Sequence, residues 1–338
     1  MKKVVKKRPR CKACSKYLQL WGSTTTGKQR YRCVQCNTSR VYAPARKKRS
    51  MLIPLFKQYV LWGLTYEMLS EMSGYTIPYL ARRFHILFLT PPALPLIPPL
   101  ASRPAYLLID GLWFTKRFVL LAYRRSKSLM LLHISVAGRE AESRIRTDLK
   151  HIRDSGYRFA GFVSDGGTGV VSTIKTMYPH TPHQICLAHM HRQITGGMGR
   201  YPKDQHVRNL RKLADHIWLI ESQEALQWWT HQVQEWKVKH ILYLLQMRRD
   251  DTGISWYIHK GVRKAVRLML KLPSISFTFL RHPLMPKTTN ELEAQFGHLG
   301  KRWLAHRGLK RERWGPFMRW FVYFYNEQKL TERNKNKV

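Results

Sequence analysis

The sequence predicts an α/β protein, with two small basic modules ahead of a larger mixed domain. Three observations predict it. Four cysteines fall in two close pairs near the start of the chain. Residues 51–88 carry apolar side chains at helical spacing and run into a proline-rich stretch. Beyond residue 105, short apolar runs of strand length alternate with amphipathic helical segments.

The charge balance narrows the partners. The chain has 338 residues, 60 of them Lys or Arg and 20 Asp or Glu, for a net charge of +40. Hydrophobic residues make up 44% and aromatics 12%, which excludes a disordered basic tail. A folded chain with this self-repulsion calls for a polyanion, either nucleic acid or an acidic membrane surface. No run of about 18 apolar residues is free of charge and proline, so no membrane span is expected. The basic start has no apolar stretch behind it, so a secretory leader is not expected and a reducing cytoplasm is.

Residues 1–49 form the first expected module. Cys11-x-x-Cys14 and Cys33-x-x-Cys36 have the spacing of a four-thiolate site, in which each pair wraps one side of a tetrahedral Zn²⁺ at about 2.3 Å. Residues 17–21 and 29–33 read as two short strands with a turn at 22–27, giving a zinc ribbon. Two disulfides in a secreted module are the alternative, which the missing leader disfavours. No Asp or Glu precedes Glu67, so the module is basic throughout and suited to phosphates. A solvated basic tail is the plainer alternative.

Residues 50–89 form the second. Leu52, Leu55, Phe56, Tyr59 and Val60 recur at helical spacing. Thr65 is placed to cap one helix and Gly74 to end it; Thr76 is placed to cap the next, with Pro78 in its first turn. Two short helices about a glycine turn suggest a helix-turn-helix-like DNA-binding module, with Tyr79, Arg82 and Arg83 on the reading helix. A plain helical hairpin remains the alternative. Residues 90–104, rich in proline, read as a stiff linker.

Residues 105–109 are a buried strand ending on Asp110-Gly111, and 118–123 and 129–136 complete an antiparallel meander. Residues 141–155 are an amphipathic helix. Residues 159–164 are a strand ending on Asp165-Gly166-Gly167; a helix (170–177) and a short strand (184–187) follow. This order matches a ribonuclease H-like fold, in which carboxylates at strand ends hold divalent metal ions. Asp110 and Asp165 are the aspartates that follow directly on apolar strands and precede glycine. A carboxylate beside a buried strand is costly unless a cation pairs with it, and two at one sheet edge suit Mg²⁺. For each alone, an Asp-Gly turn is the ordinary alternative.

The tract Thr288-Thr289-Asn290-Glu291-Leu292-Glu293 now carries a resemblance. It looks like the third-carboxylate signature of bacterial mutator-type insertion-sequence transposases, with Glu293 in the place of the family's glutamate. Gln184-Ile185-Cys186-Leu187-Ala188-His189 is similar to the family's Cys-x-x-His motif. Leu108-Ile109-Asp110-Gly111 and Ser164-Asp165-Gly166 resemble its two aspartate motifs, and residues 303–308 resemble a tail seen in one branch. Glu291, a second acid in the third motif, departs from the pattern.

Residues 207–220, 222–245 and 262–272 read as helix. The resemblance implies a ribonuclease H-like catalytic domain at 105–199 and 286–338, interrupted by an all-helical insertion at 200–285. It implies a DDE transposase that binds double-stranded DNA, both transposon ends and target, in the bacterial cytoplasm at the nucleoid. Asp110, Asp165 and Glu293 would hold two Mg²⁺ (or Mn²⁺) ions for strand cleavage and strand transfer. His189 would orient a phosphate, or form a buried structural pair with Cys186; a second metal site made of Cys186, His189 and His191 is a third reading. Asn290 supports the motif, and Lys301 and Arg302 would neutralise DNA phosphates. Synapsis of two ends implies at least a dimer. A ribonuclease H-like nuclease or resolvase that joins nothing, or an inactive DNA-binding regulator, are the rival classes.

Overall fold

The computed structural model describes residues 9–25, 27–41, 52–93, 104–115, 118–128, 130–306 and 308–335. The chain divides into two units, Met1–Phe56 and Lys57–Val338. Most of the basic stretches at 1–8 and 42–51, and residues 94–103 of the expected linker, lie outside the described residues.

In the first unit β1 (Gln19–Ser23), β2 (Gln29–Arg32) and β3 (Ser39–Val41) form an antiparallel sheet in chain order. The sequence pattern predicts two of these strands. It missed β3 because Ser39, Arg40 and Val41 are all exposed and show no apolar alternation. Tyr17, expected in the first strand, instead forms an isolated bridge with Arg10. Cys11, Leu18 and Cys33 are the buried cluster under this sheet, too small a core to hold a fold by apolar burial alone.

Helix α1 (Leu52–Trp62) runs across the boundary between the units and is followed by α2 (Tyr66–Ser73) and α3 (Ile77–Leu89). The capping expectations largely hold. Thr65 Oγ1 accepts from Met68 N at 3.4 Å, and Gly74 closes α2 in the left-handed region with its N–H on Ser70 O. Thr76 precedes α3 but makes no side-chain cap. Leu80, Phe84 and Phe88 are buried on α3, with the Tyr59 ring edge-on to Phe84 at 5.4 Å.

The central sheet has five strands in the order β6-β5-β4-β7-β8. β4 (Ala105–Thr115), β5 (Phe118–Arg125) and β6 (Leu131–Ala137) are antiparallel; β7 (Phe159–Ser164) and β8 (His183–Ile185) join in parallel. α4 (Glu142–Asp154) and α5 (Thr168–Met177) make the connections around β7. Their apolar sides, including Ile145, Leu149, Val170 and Ile174, cover one face of the sheet through Leu107, Ile109, Val119, Leu121 and Phe162. Residues alternate along a strand, so Leu108, Asp110 and Arg124 face the other way.

One expectation needs correction here. The sequence puts Asp110 at the end of its strand, but β4 continues to Thr115. β5 pairs along its length, setting Asp110 opposite Ala122, whereas the pairing with β7 stops at Ile109 and Ser164. Asp110 therefore lies one residue past the parallel half of the sheet.

After α6 (Leu187–Gly196) the chain forms α7 (Gln205–Asp215), α8 (Gln223–Lys239), α9 (Ile241–Leu245), β9 (Met247–Arg249), β10 (Ser255–Tyr257) and α10 (Lys260–Ile275). It then returns as α11 (Asn290–Ala305) and α12 (Trp314–Lys335). The insertion is thus not all-helical. Asp250 Oδ1 accepts from the N–H groups of Thr252 and Ile254 and builds the turn that pairs β9 with β10. Trp229 is fully buried, its Nε1 donating to Leu213 O at 2.8 Å, and Trp236 is buried as well, so both serve the core. α11 packs against β4. α12 packs against β6, where buried Asn326 accepts from Leu131 N and donates to Leu131 O, satisfying an edge strand.

α6 and α10 meet at Gly197 and Gly261, where a Cβ on either would overlap the other's backbone carbonyl. Gly261→Ala should lower stability by about 1–3 kcal/mol. A thermal melt of the variant unchanged from wild type would remove this close approach from the account.

Candidate active site

Three elements converge beyond the parallel end of the sheet. Asp110 from β4, His189 from α6 and Glu293 from α11 offer ligand atoms that all lie within 4.8 Å of one another. Asp110 is 5% exposed; its Oδ1 accepts from Gly111 N at 2.8 Å and its Oδ2 from Thr289 Oγ1 at 3.1 Å. Thr289 is fully buried just ahead of α11, and its N–H and hydroxyl also reach Cys186 Sγ at 3.3 and 3.4 Å. Cys186 N donates to Ser164 O at 2.6 Å. One threonine thus ties the first-aspartate strand to the Cys-x-x-His turn and to the start of the third-acid helix.

The doubled acid of the third motif separates cleanly. Glu291 turns to Arg124, which is buried on β5, pairs with Glu291 Oε2 at 2.8 Å and donates to Glu291 O at 2.6 Å. Glu293 turns to the cluster, with Oε1 3.7 Å from His189 Nδ1. Arg192, one turn beyond His189 on α6, donates to both Glu293 oxygens.

Asp165 follows β7 and accepts from Gly167 N at 3.0 Å. It is not in the set of three, yet its charge acts on Asp110. Beside it stands Glu140, which the sequence reading passed over. Glu140 Oε1 accepts from Trp113 Nε1 at 3.1 Å. Its carboxylate lies where a Cβ on Gly111 would overlap it, and a Cβ on Gly167 would stand 2.8 Å from Oε2. The glycines behind the two aspartates therefore make room for another acid. The Asp-Gly and Asp-Gly-Gly sequences were the available signal, but nothing beside Glu140 marks it as their occupant.

The electrostatics follow from this crowding. Burial first, then the charge of Asp165, raises the Asp110 carboxyl to about 7 against the pull of His189. Burial and Asp165 likewise raise Glu140. His189 is raised through its interaction with the Cys186 thiol and by the Asp110 charge. Burial opposes ionisation of Cys186, but hydrogen bonding from His189 and Thr289 outweighs it and lowers that thiol. Hard carboxylate oxygens in excess of local cations are the donor set that suits a divalent cation such as Mg²⁺. Asp148 is buried too, but Tyr123, Ser135 and His133 hold it on the far side of β5 and β6, in a structural role.

Other expected residues fall elsewhere. His191 pairs with Asp215 at 2.7 Å, its ring against Trp218, so Cys186, His189 and His191 do not assemble as a second metal site. Asn290 is exposed and opens α11. Lys301 and Arg302 lie two turns or more beyond Glu293 along α11, and Arg302 Nη1 donates to Trp62 O at 3.2 Å. On α3, Tyr79 stacks on Tyr75 at 5.0 Å, Arg82 is exposed and Arg83 half-buried.

In the first unit Cys11, Cys14, Cys33 and Cys36 also gather within 4.8 Å, and none forms a disulfide. The Cys14 and Cys33 sulfurs are 3.4 Å apart. Backbone N–H groups of Cys14 and Ala13 lower Cys11 to about 6, while its hydrogen bond to Cys14 and burial push Cys36 up to about 12.

Residues 126–267 match the family model described as Transposase, Mutator family. That stretch is similar to mutator-family transposases. The mutator-family match takes in Asp165, Cys186, His189 and Arg192; Asp110 and Glu293 lie on either side of it. No curated protein matches the chain.

The raised Asp110 sets a testable pH dependence. A carboxyl with a higher folded than unfolded pKa binds its proton more tightly in the folded state. Stability therefore falls as pH rises from about 4 to about 7. Without divalent ions, Asp110→Asn should be more stable than wild type at pH 8 by about 1–3 kcal/mol, with no gain at pH 4. Melts in chelator at the two pH values check this, and a variant less stable at pH 8 would contradict it.

Proposed function

We propose that this protein is a DNA transposase that uses Asp110, Asp165 and Glu293 as its acid triad on a ribonuclease H-like domain. The observation that carries the reading is the meeting of Asp110 and Glu293, remote in sequence, with His189 within 4.8 Å and Asp165 alongside. The sheet order β6-β5-β4-β7-β8, three strands antiparallel and two parallel, supports that domain. The mutator-family match supports the reaction class.

The acids would hold two Mg²⁺ or Mn²⁺ ions, which when bound supply Lewis-acid activation of the attacking oxygen and stabilisation of the leaving 3′ oxygen. The chain's own residues supply the placement. Thr289 keeps Asp110 oriented by donating to its Oδ2, and Arg124 anchors the first turn of α11 so that Glu293 faces Asp110. Glu140 adds a carboxylate beside Asp165. His189, its pKa raised by the Cys186 thiol and the Asp110 charge, stands next to the acids and is suited to meet a DNA phosphate. The reaction is cleavage by water, then attack of the freed 3′ hydroxyl on target DNA, so phosphodiester bonds exchange without an external energy source.

DNA is gripped elsewhere. The four sulfurs would hold one structural Zn²⁺, and α2 and α3 would act as a helix-turn-helix-like reader, with Tyr79, Arg82 and Arg83 toward the duplex. Lys301 and Arg302 would meet phosphate beyond the acids, and Asn290 opens the helix that carries Glu293. Paired ends require at least two copies of the chain. No helix among the described residues is long and apolar enough to cross a membrane, in keeping with work on cytoplasmic, nucleoid DNA.

Strand transfer from a pre-cut end duplex into plasmid DNA tests the reading. Asp110→Asn, Asp165→Asn and Glu293→Gln should each lower nicking and joining about 10³-fold or more while end binding stays intact. Metal-dependent nicking without joining would point to a nuclease or resolvase, and end binding without nicking to a regulator. Cys14→Ser should release one Zn²⁺ per chain, measured by metal analysis, and weaken end binding; a variant that keeps its zinc would remove the ribbon from the account.

A further inference from the structure

The pairing of Arg192 with Glu293 is not explained by the triad. A carboxylate meant for divalent ions is here held at both oxygens by a guanidinium fork. The same carboxylate has His189 Nδ1 at 3.7 Å and Asp110 in the same cluster. Arg192 sits one turn after His189 on α6, so both point to one side of the helix. Its side chain is 54% exposed against 32% for Glu293, so the guanidinium is readily reached from solvent and the carboxylate is half-buried. An ion pair with solvent on one side is weak enough to exchange. A guanidinium recognises the oxygens of a phosphodiester in the same fork geometry as those of a carboxylate.

We propose that Arg192 is the counter-ion of Glu293 in the DNA-free protein and leaves it for a DNA phosphate when ions and DNA enter together. This rests on the triad reading above. Its logic is charge replacement. Without ions, Glu293 stands near Asp110 and needs a cation, which Arg192 provides. A divalent ion on Glu293 would face that guanidinium at a few ångströms and be repelled, so ion binding alone is weakened. A phosphate that draws Arg192 away relieves the repulsion and frees a carboxylate oxygen in one movement. DNA and ions then favour each other's binding, which holds the acid site in check until a substrate is present.

The test is a Mn²⁺ titration of the full-length, zinc-loaded, DNA-free protein by calorimetry, beside nicking of end DNA at saturating Mn²⁺. Arg192→Gln should bind Mn²⁺ about tenfold tighter than wild type yet nick about tenfold more slowly. Arg192→Lys, which keeps the charge, should bind Mn²⁺ much as wild type does. Arg192→Met gives the same expectation as Arg192→Gln and replaces it if that variant fails to fold. Equal or weaker Mn²⁺ binding in folded Arg192→Gln would overturn the counter-ion role, and unchanged nicking would overturn the phosphate role. The triad reading fails separately, if wild type shows no Mn²⁺ site that Asp110→Asn abolishes.

Discussion

Repulsion between converging carboxylates is the constraint on which the rest of this domain depends. Asp110, Asp165, Glu140 and Glu293 come from four separate parts of the chain and turn toward one region past the parallel end of the sheet. Nothing apolar draws acids together. Each must be held by a specific donor: Asp110 by Gly111 N and Thr289, Asp165 by Gly167 N, Glu140 by Trp113, and Glu293 by Arg192. Arg124, buried at the foot of α11, anchors the helix that brings the last of them. An acid set kept together by this many donors offers the hard oxygens that a divalent cation takes as ligands.

Much of this was legible in the sequence, and the reasons differ by element. β7 was read at its full length because Phe159–Ser164 is a continuous apolar run that stops at an aspartate. Thr65 and Gly74 bounded α2 because caps act locally. Asp110, Asp165, Glu293 and His189 were read from short motifs, and the structure brings Asp110, His189 and Glu293 together with Asp165 close by. Motif register alone points to Glu293; what occupies Glu291 is Arg124, a partner on a distant strand that no local pattern names. Glu140 was hidden for the same reason: its place is defined by the room that Gly111 and Gly167 leave. β3 and the β9–β10 pair were missed because three exposed or half-exposed residues per strand leave no alternation to read.

The excess of basic residues also gains a finer meaning. With 60 Lys and Arg against 20 acids, most cations have no acid to answer and are available to a polyanion. A few do answer one. Arg124, itself buried, is locked to the half-exposed Glu291, and the exposed Arg192 pairs with Glu293, so the same residue type serves once as a fixed brace and once as an exchangeable partner. Burial of the guanidinium decides between the two roles, since a buried charge is costly to leave unpaired and an exposed one is not.

The most direct measurement of the central claim is anomalous diffraction from crystals of the full-length protein soaked in Mn²⁺. The account predicts manganese peaks within bonding distance of Asp110 and of Asp165 or Glu293, absent in Asp110→Asn crystals. Well-ordered carboxylates with no anomalous peak beside them at millimolar Mn²⁺ would contradict it.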